Sequence, residues 1–284
     1  MTALAAFQAF FFNNQRIIYL DTANRQLLQL SPEADPIPLR DNLLKVRDYL
    51  ASYGMKLISS SDSSSMERRP CLQDLVALLV SDPALLSRLN SAIDRIPGNP
   101  PFVNLDLNSL GDGGDRLAQH FEQCKVAARA SSFGLNIPSP EKIFFCQGGW
   151  LEEHAYWAVR DLGIKGLDLA MNVRVAWDGK GKRPTENEFD VLFTHDNRLH
   201  LISCKASNPN RETATGSRAT EALNELDALA DRAGGLFGKA MLVSARRLSD
   251  YDRERARKMR IKLVEAEAIP NLRAELKEWL GGSA

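Results

Sequence analysis

Several absences narrow the field before any motif is read. No apolar run approaches the ~18 residues of a membrane-spanning helix. The 36 Lys+Arg residues equal the 36 Asp+Glu residues, so no net charge draws the whole chain to nucleic acid or an anionic membrane. Such binding requires a local patch. The four cysteines, Cys71, Cys124, Cys146 and Cys204, form no CxxC pair. That argues against a zinc ribbon or a disulfide framework and fits a reducing compartment. The histidines at 120, 154, 195 and 200 have no mutual spacing that suggests a zinc site. Internal repeats and long low-complexity segments are lacking too. The apolar start, Met1 to Phe12, has no basic n-region and runs directly into Asn13-Asn14-Gln15-Arg16. This speaks against an export signal and points to a cytoplasmic protein that engages no membrane.

What is present is ordinary for a globular protein of two or three compact units: 284 residues, 44% hydrophobic and 25% charged. Residues 3–12 read as a buried helix, with strands at Arg16–Asp21 and Leu27–Leu30. Thirty residues bury too little to stand alone, so this piece is a fragment of a sheet. Pro32, Pro36 and Pro38 mark a linker. A helix face through Leu43, Leu44, Val46, Tyr49 and Leu50 ends at Tyr53-Gly54, and Ser59–Ser65 reads as a serine-rich loop. Helices follow at Leu72–Val80 and Ala84–Ile96, the second capped by Asp82-Pro83. A strand at Phe102–Leu107 and a helix over Asp115–Ala130 complete an α-rich module of winged-helix-like character. Taken alone, this module reads as a scaffold.

The C-terminal half carries the chemistry. Gly148-Gly149-Trp150-Leu151-Glu152-Glu153 opens a helix to about Leu162, with Leu151, Ala155, Ala158, Val159 and Leu162 as its apolar stripe. Glu152 lies on the border of that stripe and Glu153 about 200° round, facing solvent. Two readings stay open for the pair: helix N-terminal carboxylates favoured by the dipole, or Glu152 aimed at the sheet. Asp168–Trp177 alternates as a half-buried strand, and a loop with Lys180, Lys182 and Arg183 leads onward. Then come two apolar runs, Val191–Thr194 and Leu199–Cys204, broken at His195-Asp196-Asn197-Arg198 in the manner of a β-hairpin. Residues two apart share a strand face, which puts Glu188 with Asp190 and Ser203 with Lys205. Lys205 either begins a solvated loop or needs carboxylates opposite it, since a lysine abutting Leu201-Ile202-Ser203-Cys204 is costly to desolvate unpaired.

A helix at Ser217–Ala233, a strand at Ala240–Ser244, a helix at Asp250–Met259, a strand at Ile261–Val264 and a helix at Asn271–Leu280 finish the chain. That order predicts an α/β fold with a mixed central sheet flanked by helices. Two carboxylates on a rigid sheet make a hard-oxygen site suited to Mg²⁺ or Mn²⁺, which activates water and stabilises charge on a phosphodiester. A neighbouring lysine orients the water and offsets phosphate charge. The basic run from Arg246 to Lys262 is interleaved with Asp250, Asp252 and Glu254, and reads as a solvated helix face or a phosphate track. His200 reads as a packed strand residue; Trp150 and Trp157 read as core anchors.

Gly148-Gly149-Trp150-Leu151-Glu152-Glu153, Asn187-Glu188-Phe189-Asp190 and Leu201-Ile202-Ser203-Cys204-Lys205 together closely resemble the PD-(D/E)XK domain of CRISPR-associated nucleases with an N-terminal CARF domain. The resemblance covers about residues 140–284. Residues 1–31 resemble the end of a Rossmann-like CARF domain; the chain is then either a shortened relative or one whose true start lies upstream. The resemblance implies three segments: a partial CARF-like piece (1–31), the α-rich module (32–137) and a restriction-endonuclease-like nuclease domain (138–284). It also implies a metal-dependent endonuclease acting on DNA, RNA or both, as a homodimer, with a cyclic oligoadenylate as activator. Glu152, Asp190 and the Cys204 main-chain carbonyl would be metal ligands, and Lys205 would position the water. The family usually has a glutamate where this chain has Ser203. Glu188, on the face of Asp190, is the candidate to compensate as a further metal ligand. The rivals are a nucleic-acid- or nucleotide-binding protein whose site decayed with Ser203, and an assembly partner for a longer relative.

Overall fold

The computed structural model describes residues 17–21, 26–31, 33–38, 44–61, 67–96, 98, 100–177, 184–235 and 238–281. The expected helix over 3–12 and the cations Lys180, Lys182 and Arg183 lie outside them. Two compact units divide the chain, Met1–Leu43 and Leu44–Ala284. In the first, β1 (Ile17–Asp21), β2 (Gln26–Ser31) and β3 (Glu33–Pro38) form an antiparallel sheet in that order. The proline-marked linker is therefore a strand. β3 lies at the sheet edge and is exposed throughout, where proline's missing N–H costs no ladder bond.

The second unit is built on a six-stranded mixed sheet. Its helices and strands are α1 (Val46–Ser52), β4 (Met55–Ser61), α2 (Leu72–Ser81), α3 (Pro83–Asp94), β5 (Val103–Asp106), α4 (Gly114–Gln123), β6 (Ala128–Arg129), β7 (Gly134–Ile137), α5 (Pro140–Phe144) and α6 (Trp150–Arg160). Then follow β8 (Asp168–Trp177), β9 (Thr185–His195), β10 (Arg198–Lys205), β11 (Glu212–Thr213), β12 (Gly216–Ser217), α7 (Arg218–Gly234), β13 (Lys239–Ser244), α8 (Asp250–Lys258), β14 (Lys262–Glu265) and α9 (Leu272–Gly281). The sheet order is β14-β13-β10-β9-β8-β4. The strands β4, β8, β9 and β10 pair antiparallel, whereas β10, β13 and β14 run parallel. This is the expected mixed sheet flanked by helices. Its hairpin turns on Asp196 and Asn197, whose φ values of 51° and 53° suit a two-residue type I′ loop.

β4 departs from the expected serine-rich loop. Ser59, Ser60 and Ser61 occupy an edge strand that among the described residues bonds only to β8, so most of its side chains stay exposed and no apolar alternation is needed, while residues 62–65 lie outside the described residues. The predicted helix over Asp115–Ala130 stops at Gln123, because Lys125 takes a left-handed φ of 58° and the chain turns into β6. One apolar layer joins the module to the sheet: Leu75, Leu85 and Leu117 belong to the same buried cluster as Leu151, Val191, Met241 and Leu272. The opposite face packs α1 and α7 through Leu50, Leu223 and Leu226 against Val175 and Leu201. The expected boundary at 137/138 thus coincides with no break in packing, and β4 crosses it. Cys71 and Cys124, 53 residues apart, are paired as a disulfide with Cα atoms 5.4 Å apart. This corrects the reading against disulfides: spacing along the chain could not show that the start of α2 meets the end of α4. Among the described residues no single helix is long and apolar enough to cross a membrane.

Candidate active site

The site forms where the β9–β10 ladder ends. The last paired residues are Ile202 and Val191. Beyond them the Asp190 side chain takes over from the ladder: its Oδ2 accepts from the Cys204 N–H at 2.6 Å and from Ser203 Oγ at 3.1 Å. Oδ1 has no donor among the described residues. Glu188, Asp190, Ser203 and Lys205 line one cleft against α7, together with the intervening Phe189 and Ile202; simple two-residue alternation does not hold across Asp190, since Phe189 packs with the α7 face and Val191 with the opposite one. The cleft continues beside Lys205 into a hollow of about 270 Å³ lined also by Arg218, Glu221, Glu225 and Ser244.

The fifth group arrives from α6. Gly149 permits the entry: a Cβ there would lie 2.9 Å from the Phe144 ring. Trp150 and Leu151 are fully buried and fix the first turn, while the Leu151 carbonyl faces the Cys204 thiol at 3.8 Å. Glu152 is thereby directed to the end of β10. Burial, then the charges of Asp190 and Glu188, push its carboxyl up to about 8 against the opposing pull of Lys205. Of the two readings for Glu152, the structure selects the one aimed at the sheet. Glu153 does not face solvent as the helical angle predicts. It is clamped by Arg69, whose Nε lies 3.2 and 3.1 Å from its two oxygens and whose Nη2 donates to Oε1 at 3.2 Å. Arg69 comes from the segment before α2, which helix geometry alone cannot reveal.

The remaining sequence candidates separate cleanly. His200 is buried, stacks on Phe193 with ring centres 4.8 Å apart, and has its pKa pushed down to about 3 by burial, so it is a neutral packing residue. Trp150 is in the core. In the basic run, Arg247 pairs with Glu267, Arg253 with Glu265, Arg257 and Lys258 with Glu254, and Lys262 with Glu275. This is the solvated, self-compensated face. Arg246, Arg255 and Arg260 are the exceptions and make no ion pair among the described residues; Arg255 donates to Asn224 Oδ1 instead. Glu225 was missed as a lining group. Its signal lay in the amphipathic pattern of α7, where it borders the buried Ala222 and Leu226.

The resemblance implies a divalent cation, and the donor chemistry fits one. Glu152 and Asp190 are hard oxygen donors set close enough to repel one another, and the Cys204 carbonyl belongs to the residue whose N–H is bound to Asp190. Among the described residues no three Asp, Glu, His or Cys side chains make a ready metal cage. Mg²⁺ does not require one, since it is commonly held by one or two carboxylates completed by water and phosphate.

A mixed sheet flanked by helices, with one acid from a helix and an acid and a lysine from the adjoining hairpin, is an architecture of the restriction-endonuclease-like class. Residues 139–282, just over half of the chain, match the Card1-like endonuclease domain, and the chain belongs to that family. It is a CRISPR-associated nuclease of the CARF-linked kind. The structure is similar to protein VC1899 from Vibrio cholerae, at 25% identity and a TM-score of 0.75, over 98% of this chain and 72% of that one. It is also similar to Can2 from Sulfobacillus thermosulfidooxidans, solved in complex with cyclic tetra-adenylate. That match has 25% identity and a TM-score of 0.66, over 98% of this chain and 71% of the other. No curated protein matches.

Proposed function

We propose that the chain is a Mg²⁺- or Mn²⁺-dependent endonuclease that hydrolyses phosphodiester bonds of DNA or RNA. The carrying observation is the meeting of Glu152, Asp190 and Lys205 at the end of β10, in a chain of the Card1-like endonuclease family. Glu152, Asp190 through Oδ1, and the Cys204 carbonyl would hold the cation, with Glu188 as a supporting carboxylate at the rim. When bound, the ion supplies Lewis acidity, lowering the pKa of a water and offsetting charge on the leaving oxygen. The chain's own groups position the reaction. Cys204 N–H and Ser203 Oγ lock the Asp190 carboxylate, and Lys205 offsets charge on the scissile phosphate and orients the attacking water. Glu152, held among like charges, is stabilised in its ionised form by a cation more than by anything the chain provides.

The family resemblance supports action as a homodimer, and the cyclic tetra-adenylate in the Can2 structure supports a cyclic oligoadenylate activator. A second reading rests on Ser203, which supplies a hydroxyl where the family usually supplies a carboxylate: a nucleic-acid- or nucleotide-binding protein with weakened catalysis. The deciding experiment incubates the purified chain with plasmid, single-stranded DNA and RNA in Mn²⁺, Mg²⁺ or EDTA, with and without cyclic tetra-adenylate. Cleavage that needs the metal and falls at least ~10³-fold, about 4 kcal/mol, in Asp190→Ala and Lys205→Ala supports the enzyme. Folded protein that binds nucleic acid but cuts under none of these conditions favours the second reading.

A further inference from the structure

The α-rich module contacts the active strand directly. Asn90 Nδ2 on α3 donates to the carbonyl of Ala206, the residue after Lys205, at 3.1 Å. On the adjoining strand the Ala245 N–H donates to the Lys205 carbonyl at 2.9 Å, and the next residue, Arg246, donates from Nη2 to Ser87 Oγ at 3.0 Å. The middle of α3, from Ser87 to Asn90, therefore lies beside the end of the catalytic strand.

The outer face of α3 has an unusual composition for a chain of zero net charge. Its inner face buries Leu85, Leu86, Leu89 and Ile93. Ser87, Ser91 and Arg95 recur at i, i+4 and i+8, a row that runs about 12 Å along the helix. With Arg88, Ala92 and Ser109 they line a surface hollow of about 210 Å³ that has no carboxylate in its lining. The Arg88 Nε is held by the Leu110 carbonyl at 2.6 Å, which sets its guanidinium while leaving the terminal amines available. Neither Arg88, Arg95 nor Arg246 forms an ion pair among the described residues, in contrast to Arg253, Arg257 and Lys258 of α8. Two buried polar atoms at the junction with the active strand, Arg246 Nε and Asn90 Oδ1, also have no protein partner. Three guanidinium groups, with the hydroxyls of Ser87 and Ser91 beside them and no acid, form a cationic surface suited to phosphate oxygens; Ser109 Oγ already donates to the Asp106 carbonyl at 2.6 Å.

We propose that this face of α3, with Arg246, binds backbone phosphates of the substrate strand on one side of the scissile bond, making the module part of the substrate channel. The inference rests on the nuclease reading and adds a binding site to it. No base edge is involved, so the contribution is independent of sequence and sensitive to salt.

The test uses the full chain carrying Asp190→Asn, so that binding is read without cleavage. Fluorescence anisotropy follows 20-nucleotide single-stranded DNA and RNA over a range of salt concentrations. Arg88→Gln with Arg95→Gln is expected to weaken binding about tenfold and to reduce the salt slope by about 0.7 for each phosphate no longer neutralised. Ser91→Glu with Arg95→Glu, both at exposed positions that leave the core intact, is expected to weaken it further. In the otherwise native enzyme these variants should raise KM for long substrates, leave kcat unchanged, and cut an oligonucleotide of about four nucleotides as well as the parent does. If the parent binds and cuts while both variants match it in affinity, salt slope and KM, the α3 site is wrong and the nuclease stands. A parent that neither binds nor cuts nucleic acid removes both.

Discussion

Two carboxylates on helices flanking the same sheet receive opposite treatment. Asp252, on α8, is 2% exposed. Thr220 Oγ1 and Ser249 Oγ donate to its two oxygens at 2.8 and 2.7 Å, and Ser217 Oγ lies 3.1 Å away. The same serines cap α7 and α8, so this acid ties two helix starts together. Glu152 has no hydrogen-bond donor among the described residues and faces Asp190 and Glu188 instead. A buried acid surrounded by hydroxyls has what it needs from its own chain. One set against other acids is stabilised only by a group that comes from outside, a proton or a cation. This contrast separates a structural carboxylate from a functional one more clearly than burial does.

The contrast breaks most easily at Asp252. Replacing it with alanine strands the hydroxyls of Thr220 and Ser249 and is expected to cost about 2–4 kcal/mol in urea unfolding. Cleavage per folded molecule should stay near the parent level; a small stability loss with a large activity loss would invert the assignment. Glu152 gives a smaller effect with its own pH signature. Its carboxyl is raised from 4.5 to about 8, so the folded chain keeps a proton that the unfolded chain loses. The associated stability is whole below about pH 4.5 and falls as pH rises through 8. In EDTA, Glu152→Gln should therefore match the parent at pH 4.5 and exceed it by roughly 1–3 kcal/mol at pH 9. Parallel curves would show that nothing holds Glu152 against its neighbours. The smallest effect belongs to Ser203, which gives Asp190 one hydroxyl where Asp252 has three nearby. Ser203→Ala should cost about 1 kcal/mol and less than tenfold in cleavage, because the Cys204 N–H still fixes Asp190. A loss as large as that of Asp190→Ala would make Ser203 a participant in its own right.

Part of this site was legible from the order of residues along two neighbouring strands, although the alternation is interrupted between Phe189 and Val191. Two-residue spacing put Glu188 with Asp190 and Ser203 with Lys205, and the apolar stripe of α6 selected Glu152 over Glu153. What escaped depended on partners distant in sequence. Nothing near Glu153 announces Arg69, and nothing near Cys71 announces Cys124. Serine content concealed β4 and proline content concealed β3, since both are edge strands, where ladder bonding on one side relaxes the demands on side chains. The α3 face was hidden for a further reason: its arginines draw meaning from the serines beside them and from Arg246, some 150 positions later in the chain.

The seat of β4 at the rim of the catalytic sheet governs how the chain can be divided and made. During synthesis β4 emerges more than a hundred residues before β8, its partner in the sheet among the described residues, and must wait for it. A truncated chain starting at residue 138 would leave the outer rim of β8 with bare N–H and C=O groups. That row is a template for a second copy, and such a fragment would be driven to self-association through the strand that its own N-terminal segment normally covers.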